Sequence, residues 1–237
     1  SAFSGVVKAS NTIRTYYFTL FKYILFYKRL VNNLNWLLLI LSMGKKEKKL
    51  ICFDLDNTLI YVNKSQVLAY NMAFSKNNLP KVHYKRLIEG FGVVGSVLVR
   101  ELFPFLTDKE VLKIVNDHDR FLIKKTKVYA RPIGGVNEIL RKLKKDYRLA
   151  IVTNSKTKTM YAMLKSTKIS KDLFDILIGN DKVLHPKPAP DEILKAQKLL
   201  HLKADYMVGD TIYDIIAAKK AHVKAISVLT GTQSRSL

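Results

Sequence analysis

From Lys49 onward the chain alternates short, wholly apolar runs with amphipathic stretches, and this alternation narrows the available folds more than any other feature. The runs at 50–53, 149–152, 176–178, 206–208 and 225–228 are too short for helices and lack polar alternation, the pattern of strands buried on both faces. Between them, 136–145 places Val136, Ile139, Leu140 and Leu143 on one helical face, and 191–200 does the same with Ile193, Leu194, Ala196 and Leu200. Strands alternating with cover helices predict a parallel sheet wrapped on both sides, an α/β fold.

The interval 62–127 breaks this rhythm. Its apolar positions, among them Val67, Leu68, Met72, Leu87, Val97, Leu98, Val111, Leu112 and Ile114, recur at helical spacing, with turn signals at 77–80 and 90–95. It reads as a helical insert after the first strand. The expected layout is an α/β core from 43–61 and 130–237 and a helical cap at 62–129, moving about linkers near Val62 and 130–132. A basic, apolar segment at 1–42 is expected to lie outside the fold.

That segment has no acidic residue and no methionine. Its apolar stretches at 16–27, broken by Lys22, and at 36–41 fall short of the roughly 18 uninterrupted residues of a spanning helix. An interfacial basic helix touching a membrane and an uncleaved signal-like segment stay open. The reading adopted is that Met43 is the natural start and the preceding residues are upstream sequence.

A formal net charge of +22 over 237 residues invites a nucleic-acid partner. The lysines, however, are dispersed, as at 142, 144, 145, 156, 158, 165, 168 and 171, without aromatic interleaving or a nucleic-acid motif. They predict solvated faces and a general attraction for anionic substrates, with no nucleic acid bound. Cys52, the single cysteine, sits inside an apolar run and reads as a core residue, which fits a reducing, cytoplasmic setting.

Four short segments fall at or just after the carboxyl end of an expected strand, where open α/β sheets bind ligands. In Phe53-Asp54-Leu55-Asp56-Asn57-Thr58-Leu59 a strand delivers two carboxylates two residues apart, suited to sharing a magnesium ion or to nucleophilic attack on phosphorus, or to a plain acidic turn. Ile151-Val152-Thr153-Asn154-Ser155 ends in hydroxyl and amide groups that can hydrogen-bond a phosphoryl oxygen or cap the next helix. In His185-Pro186-Lys187-Pro188-Ala189-Pro190 the prolines stiffen the loop and present the Lys187 ammonium in one place, as a phosphoryl transition state requires. Val208-Gly209-Asp210-Thr211-Ile212-Tyr213-Asp214 combines a close backbone approach at Gly209 with two aspartates four apart, on one face of a starting helix.

Together, over residues 49–231, these segments resemble the haloacid dehalogenase-like hydrolase superfamily, and more closely its phosphoglycolate phosphatase-like branch. The resemblance implies a Rossmann-like core with strand order 5-4-1-2-3 and a helical cap inserted after the first motif. It implies that Asp54 is the nucleophile and a Mg2+ ligand. Asp56 is the general acid and base and binds the metal through its backbone carbonyl. Thr58, Thr153, Asn154 and Lys187 hold the phosphoryl group, and Lys187 also orients Asp54. Asp210 and Asp214 complete the metal site, Asp214 as a ligand or as a partner behind the ligands. Dehalogenases of the superfamily lack an aspartate at the second position, so Asp56 favours phosphate chemistry. Asn57 departs from the commoner glycine.

The expected activity is Mg2+-dependent hydrolysis of a small phosphorylated substrate such as phosphoglycolate, a sugar phosphate or a nucleotide. The short interval 155–183 leaves little room for a second cap, which suits a small substrate. Two alternatives remain at this stage: a phosphosugar mutase of the β-phosphoglucomutase type, and a non-enzymatic basic protein of membranes or nucleic acid. Arg86, Glu89 and Arg100, beside Gly90-Phe91-Gly92, are the cap charges nearest a turn and are expected to be ordinary surface residues.

Overall fold

The computed structural model describes residues 49–231. The expectations for 1–42 lie outside the described residues, and no helix among the described residues is long and apolar enough to cross a membrane.

Five strands, β1 (Lys49–Phe53), β4 (Tyr147–Thr153), β5 (Ile176–Gly179), β6 (Ala204–Gly209) and β7 (Lys224–Ser227), form a sheet of order β5-β4-β1-β6-β7. All neighbours are parallel. Numbered among themselves, these strands reproduce the 5-4-1-2-3 order read from the β7 edge. The chain numbering differs because of a two-stranded antiparallel ribbon, β2 (Ile60–Tyr61) with β3 (Arg131–Pro132), where Ile60 faces Pro132 and Tyr61 faces Arg131. Two residues carry no periodicity, so this ribbon left no signal in the sequence pattern.

Four helices cover the sheet: α5 (Val136–Asp146), α6 (Thr157–Thr167), α7 (Asp191–Leu200) and α8 (Ile212–Lys220). In α5 the four anticipated apolar residues are all buried. In α7 the expected Ile193, Ala196 and Leu200 pack inward, and one position differs. Leu194 is 46% exposed, while Glu192 is wholly buried beside Ile193 and Ala196. Because successive residues are about 100° apart, Leu194 and Glu192 cannot both face in with Ile193 at the centre. Cys52 lies in the same core cluster as Leu50, Ala150, Val152 and Ala196. Burial pushes its thiol up to about 12, which leaves it unreactive.

Between β2 and β3 the chain forms α1 (Asn63–Lys76), α2 (Tyr84–Glu89), α3 (Gly95–Leu102) and α4 (Asp108–Tyr129). They share an apolar cluster of their own, built on Val67, Phe74, Leu87, Leu98, Phe103 and Ile114. At the pairs Val97-Leu98 and Val111-Leu112 only one member enters it. Leu98 and Val111 are buried, whereas Val97 and Leu112 are exposed, as is Met72. A full capping box at α4, with Thr107 and Glu110 bonding each other's backbone, fixes where the longest of these helices begins.

Candidate active site

The sheet's carboxyl edge gathers the polar residues that the motifs singled out. The Asp54 N–H donates to the Val208 carbonyl at 2.8 Å, carrying the β1–β6 pairing one residue past the strand and pinning this aspartate beside β6. The chain then turns through Asn57 at φ 57°, the left-handed region, which asparagine tolerates better than other side chains. The departure from glycine at this position is thus accommodated without moving the carboxylates.

Lys187 is buried. Its Nζ donates to Asp54 Oδ1 and to Asp214 Oδ1, each at 2.6 Å. The other Asp214 oxygen, Oδ2, accepts from the backbone N–H and hydroxyl of Thr211 at 3.0 and 2.7 Å, starting α8. Gly209 makes room for this arrangement, since a Cβ there would lie 2.3 Å from Asp214 Cγ. Asp210 Oδ1 accepts the Thr58 hydroxyl at 3.0 Å. One carboxylate oxygen from each of Asp54, Asp210 and Asp214 lies within 4.8 Å of the others.

Asp56 stands beside this cluster. Its Oδ2 accepts the Ser155 hydroxyl at 2.6 Å, while its buried Oδ1 has no hydrogen-bond partner. Thr153 Oγ1 accepts the Ser155 N–H at 3.2 Å. The Asn154 amide donates to the carbonyls of Lys187 at 2.9 Å and Gly92 at 2.7 Å, tying the β4 end to the lysine loop and to the helical insert.

Burial raises the Asp54 carboxyl to about 7, with Lys187 opposing and Asp214 and Asp56 adding to the rise. Asp56 and Asp210 are raised for the same first reason. Burial draws the Lys187 ammonium down, but the carboxylates of Asp214 and Asp54 outweigh it and hold the lysine charged. Three buried carboxylates facing one ammonium leave excess negative charge among hard oxygen donors, a set that fits a small divalent cation.

Asp54, Asp56, Thr153, Asn154, Lys187 and Asp210 line a single cavity. Asp214 adjoins it through Lys187. Thr58 is absent from the lining, and its hydroxyl is spent on Asp210 rather than presented to a ligand. Arg86, Glu89 and Arg100 are exposed and do not line the cavity, and Arg100 pairs with Asp108. Ser155, offered in the sequence as a phosphoryl or capping group, lines it with its hydroxyl given to Asp56, and Gln66, Tyr70, His118, Asp119 and Asn180, which no motif singled out, line it too. The i,i+4 pair Gln66 and Tyr70 on α1 was a signal for a shared face; which way that face points depends on packing.

A Rossmann-like sheet with a helical insert, and with buried carboxylates and a charged lysine at its carboxyl edge, defines an α/β phosphoryl-transfer enzyme. The comparisons agree. Residues 51–228 match the haloacid dehalogenase-like hydrolase family. A phosphoglycolate phosphatase of Colwellia psychrerythraea is 30% identical over 203 residues, covering 80% of this chain and 88% of that one. The pyrophosphatase PpaX of Bacillus mycoides is 29% identical over 181 residues, covering 75% and 82%. The crystal structure of a predicted phosphoglycolate phosphatase from Haemophilus somnus superposes with a TM-score of 0.71 at 27% identity, covering 79% of this chain and 88% of that one. The chain belongs to the haloacid dehalogenase-like hydrolase family, on its phosphoglycolate phosphatase-like side, and is a phosphatase.

Proposed function

We propose that the chain is a Mg2+-dependent phosphomonoesterase that works on a small phosphorylated substrate through a phosphoryl group carried on Asp54. The observation that carries this reading is the buried triad of Asp54, Lys187 and Asp214, with Lys187 bonded to both carboxylates and Asp56 alongside.

In this mechanism the Asp54 oxygen not engaged by Lys187 attacks phosphorus, and the bond from phosphorus to the leaving oxygen breaks. Asp56, whose Oδ1 is unpartnered and whose carboxyl is raised by burial, protonates that leaving oxygen. It then takes a proton from the water that attacks the acyl phosphate, which releases inorganic phosphate and restores Asp54. Lys187 holds Asp54 in place and balances negative charge in the transition state. Thr153 and the backbone at Asn154 hold the phosphoryl oxygens, while Thr58 orients Asp210. Mg2+ held by Asp54, Asp210 and the Asp56 carbonyl would neutralise phosphoryl oxygens during transfer. Asp214 acts from behind, since both its oxygens are taken by Lys187 and Thr211.

The insert at 62–129 serves as the cap, and its ties to the core through Asn154 to Gly92 and Lys156 to Asp119 support that role. The test is hydrolysis of a generic aryl phosphate with and without Mg2+, beside Asp54→Asn. The account expects Mg2+-dependent turnover that the substitution abolishes. Turnover that ignores both the metal and the substitution overturns it.

A further inference from the structure

Much of the cavity lining comes from the insert, and the charges there are paired. Asp119 of α4 lies between two bases: its Oδ1 is 3.2 Å from His118 Nδ1 and its Oδ2 is 2.9 Å from Lys156 Nζ. Lys156 also donates to Asn116 Oδ1 at 3.0 Å. The second imidazole nitrogen, Nε2, is 2.8 Å from Gln66 Oε1, and the ring stacks on Tyr70 with centroids 3.8 Å apart. Burial alone would raise the Asp119 carboxyl, but the bonds from His118 and Lys156 outweigh it and hold the group below its usual range, as a committed anion.

The rest of this wall is apolar, with Val62, Tyr70, Leu98, Val115 and Leu122 buried along it. Among the described residues no arginine lines the cavity, and both lining lysines, Lys156 and Lys187, are paired with carboxylates. A carboxylate or second phosphate on the leaving group would lose water here beside Asp56 and Asp119 and, among the described residues, find no uncommitted cationic side chain on the insert side. The glycolate leaving group of phosphoglycolate and the phosphate leaving group of pyrophosphate both carry that charge. A hydroxyl-bearing leaving group does not.

Resting on the phosphatase reading above, we infer that this chain selects phosphomonoesters with an uncharged leaving group, and that Asp119 sets this specificity by holding Lys156 and His118.

A matched pair of substrates tests it: 2-hydroxyethyl phosphate and 2-phosphoglycolate differ only in a hydroxymethyl against a carboxylate. With the full chain and Mg2+, kcat/KM is expected to favour the hydroxyethyl ester by about tenfold or more, with pyrophosphate slow, because an unmatched charge forfeits a charged hydrogen bond. In Asp119→Asn, which frees Lys156, the ratio shifts by about tenfold toward phosphoglycolate. In Lys156→Gln, which leaves Asp119 less balanced, it shifts the opposite way. Preference of the unsubstituted protein for phosphoglycolate or pyrophosphate overturns the inference while leaving the phosphatase reading intact. An unchanged ratio in folded Asp119→Asn and Lys156→Gln overturns the role of Asp119. If neither ester nor an aryl phosphate is hydrolysed, the phosphatase reading fails and this inference falls with it.

Discussion

The two walls of the cavity use charge in opposite ways. On the sheet side, Asp54, Asp210 and Asp214 are packed against one another with a single lysine to answer them, an arrangement that holds unbalanced charge in place for a cation and a phosphoryl group. On the insert side, Asp119 is answered by its neighbour His118 and by Lys156 of the core, and the surface around them is apolar. Catalysis needs charge that is not yet satisfied, whereas selection against a charged leaving group needs charge already satisfied.

The largest expected effect lies on the sheet side. Asp54→Asn should reduce kcat on the order of 10⁴-fold or more, as loss of a nucleophile does, with the fold intact by circular dichroism. Lys187→Met should cost about 10²–10³ in kcat. It should also destabilise the protein by about 3 kcal/mol in urea unfolding, because it strands buried Asp54 and Asp214. Gly209→Ala places a methyl 2.3 Å from Asp214 Cγ. It should cost about 1–3 kcal/mol of stability and lower kcat by displacing Lys187's partner.

The cation can be followed through pH. The Asp54 carboxyl, at about 7, and the raised Asp56 and Asp210 carboxyls bind protons in the folded, metal-free protein over a range where the unfolded chain has released them. Their contribution to stability is therefore present in acid and is lost as pH rises toward 7. A divalent cation replaces those protons, so the gain in Tm on adding Mg2+ should be larger near about pH 8 than near about pH 5. An equal or larger gain at the acid end would separate the cluster from metal binding. The smallest effect is expected on the outer face of the insert, where Arg86→Ala should leave kcat/KM within about twofold; a larger change would bring that face into the site and blur the contrast between the walls.

The sheet side was legible in the sequence because most of the motifs directly follow short apolar runs that read as buried strands, which places where their polar residues emerge. Finer assignments there depended on packing. Asp210 and Asp214 were expected on one helical face, but α8 begins at Ile212 behind the Thr211 cap, so Asp210 stands ahead of the helix, and the orientation of Asp214 toward Lys187 and Thr211 follows from how closely Gly209 lets α8 approach. Thr58 stood in the right motif, and only packing shows that its hydroxyl is given to Asp210 and that it does not line the cavity.

The insert side was not legible. Gln66 and His118 are 52 residues apart and meet because α1 packs on α4. No local pattern records that pairing. Helix phase was the other blind spot. On α7 the expected Ile193, Ala196 and Leu200 pack inward, but Leu194 turns out and Glu192 turns in, burying a carboxyl that is raised to about 7 near Lys187.

The most direct test of the central claim is chemical capture. A single turnover of a phosphomonoester with Mg2+, quenched in acid and analysed by peptide mass spectrometry, should show a phosphoryl adduct on Asp54, and none in Asp54→Asn. Turnover with no adduct on Asp54, together with activity surviving in Asp54→Asn, would contradict the account.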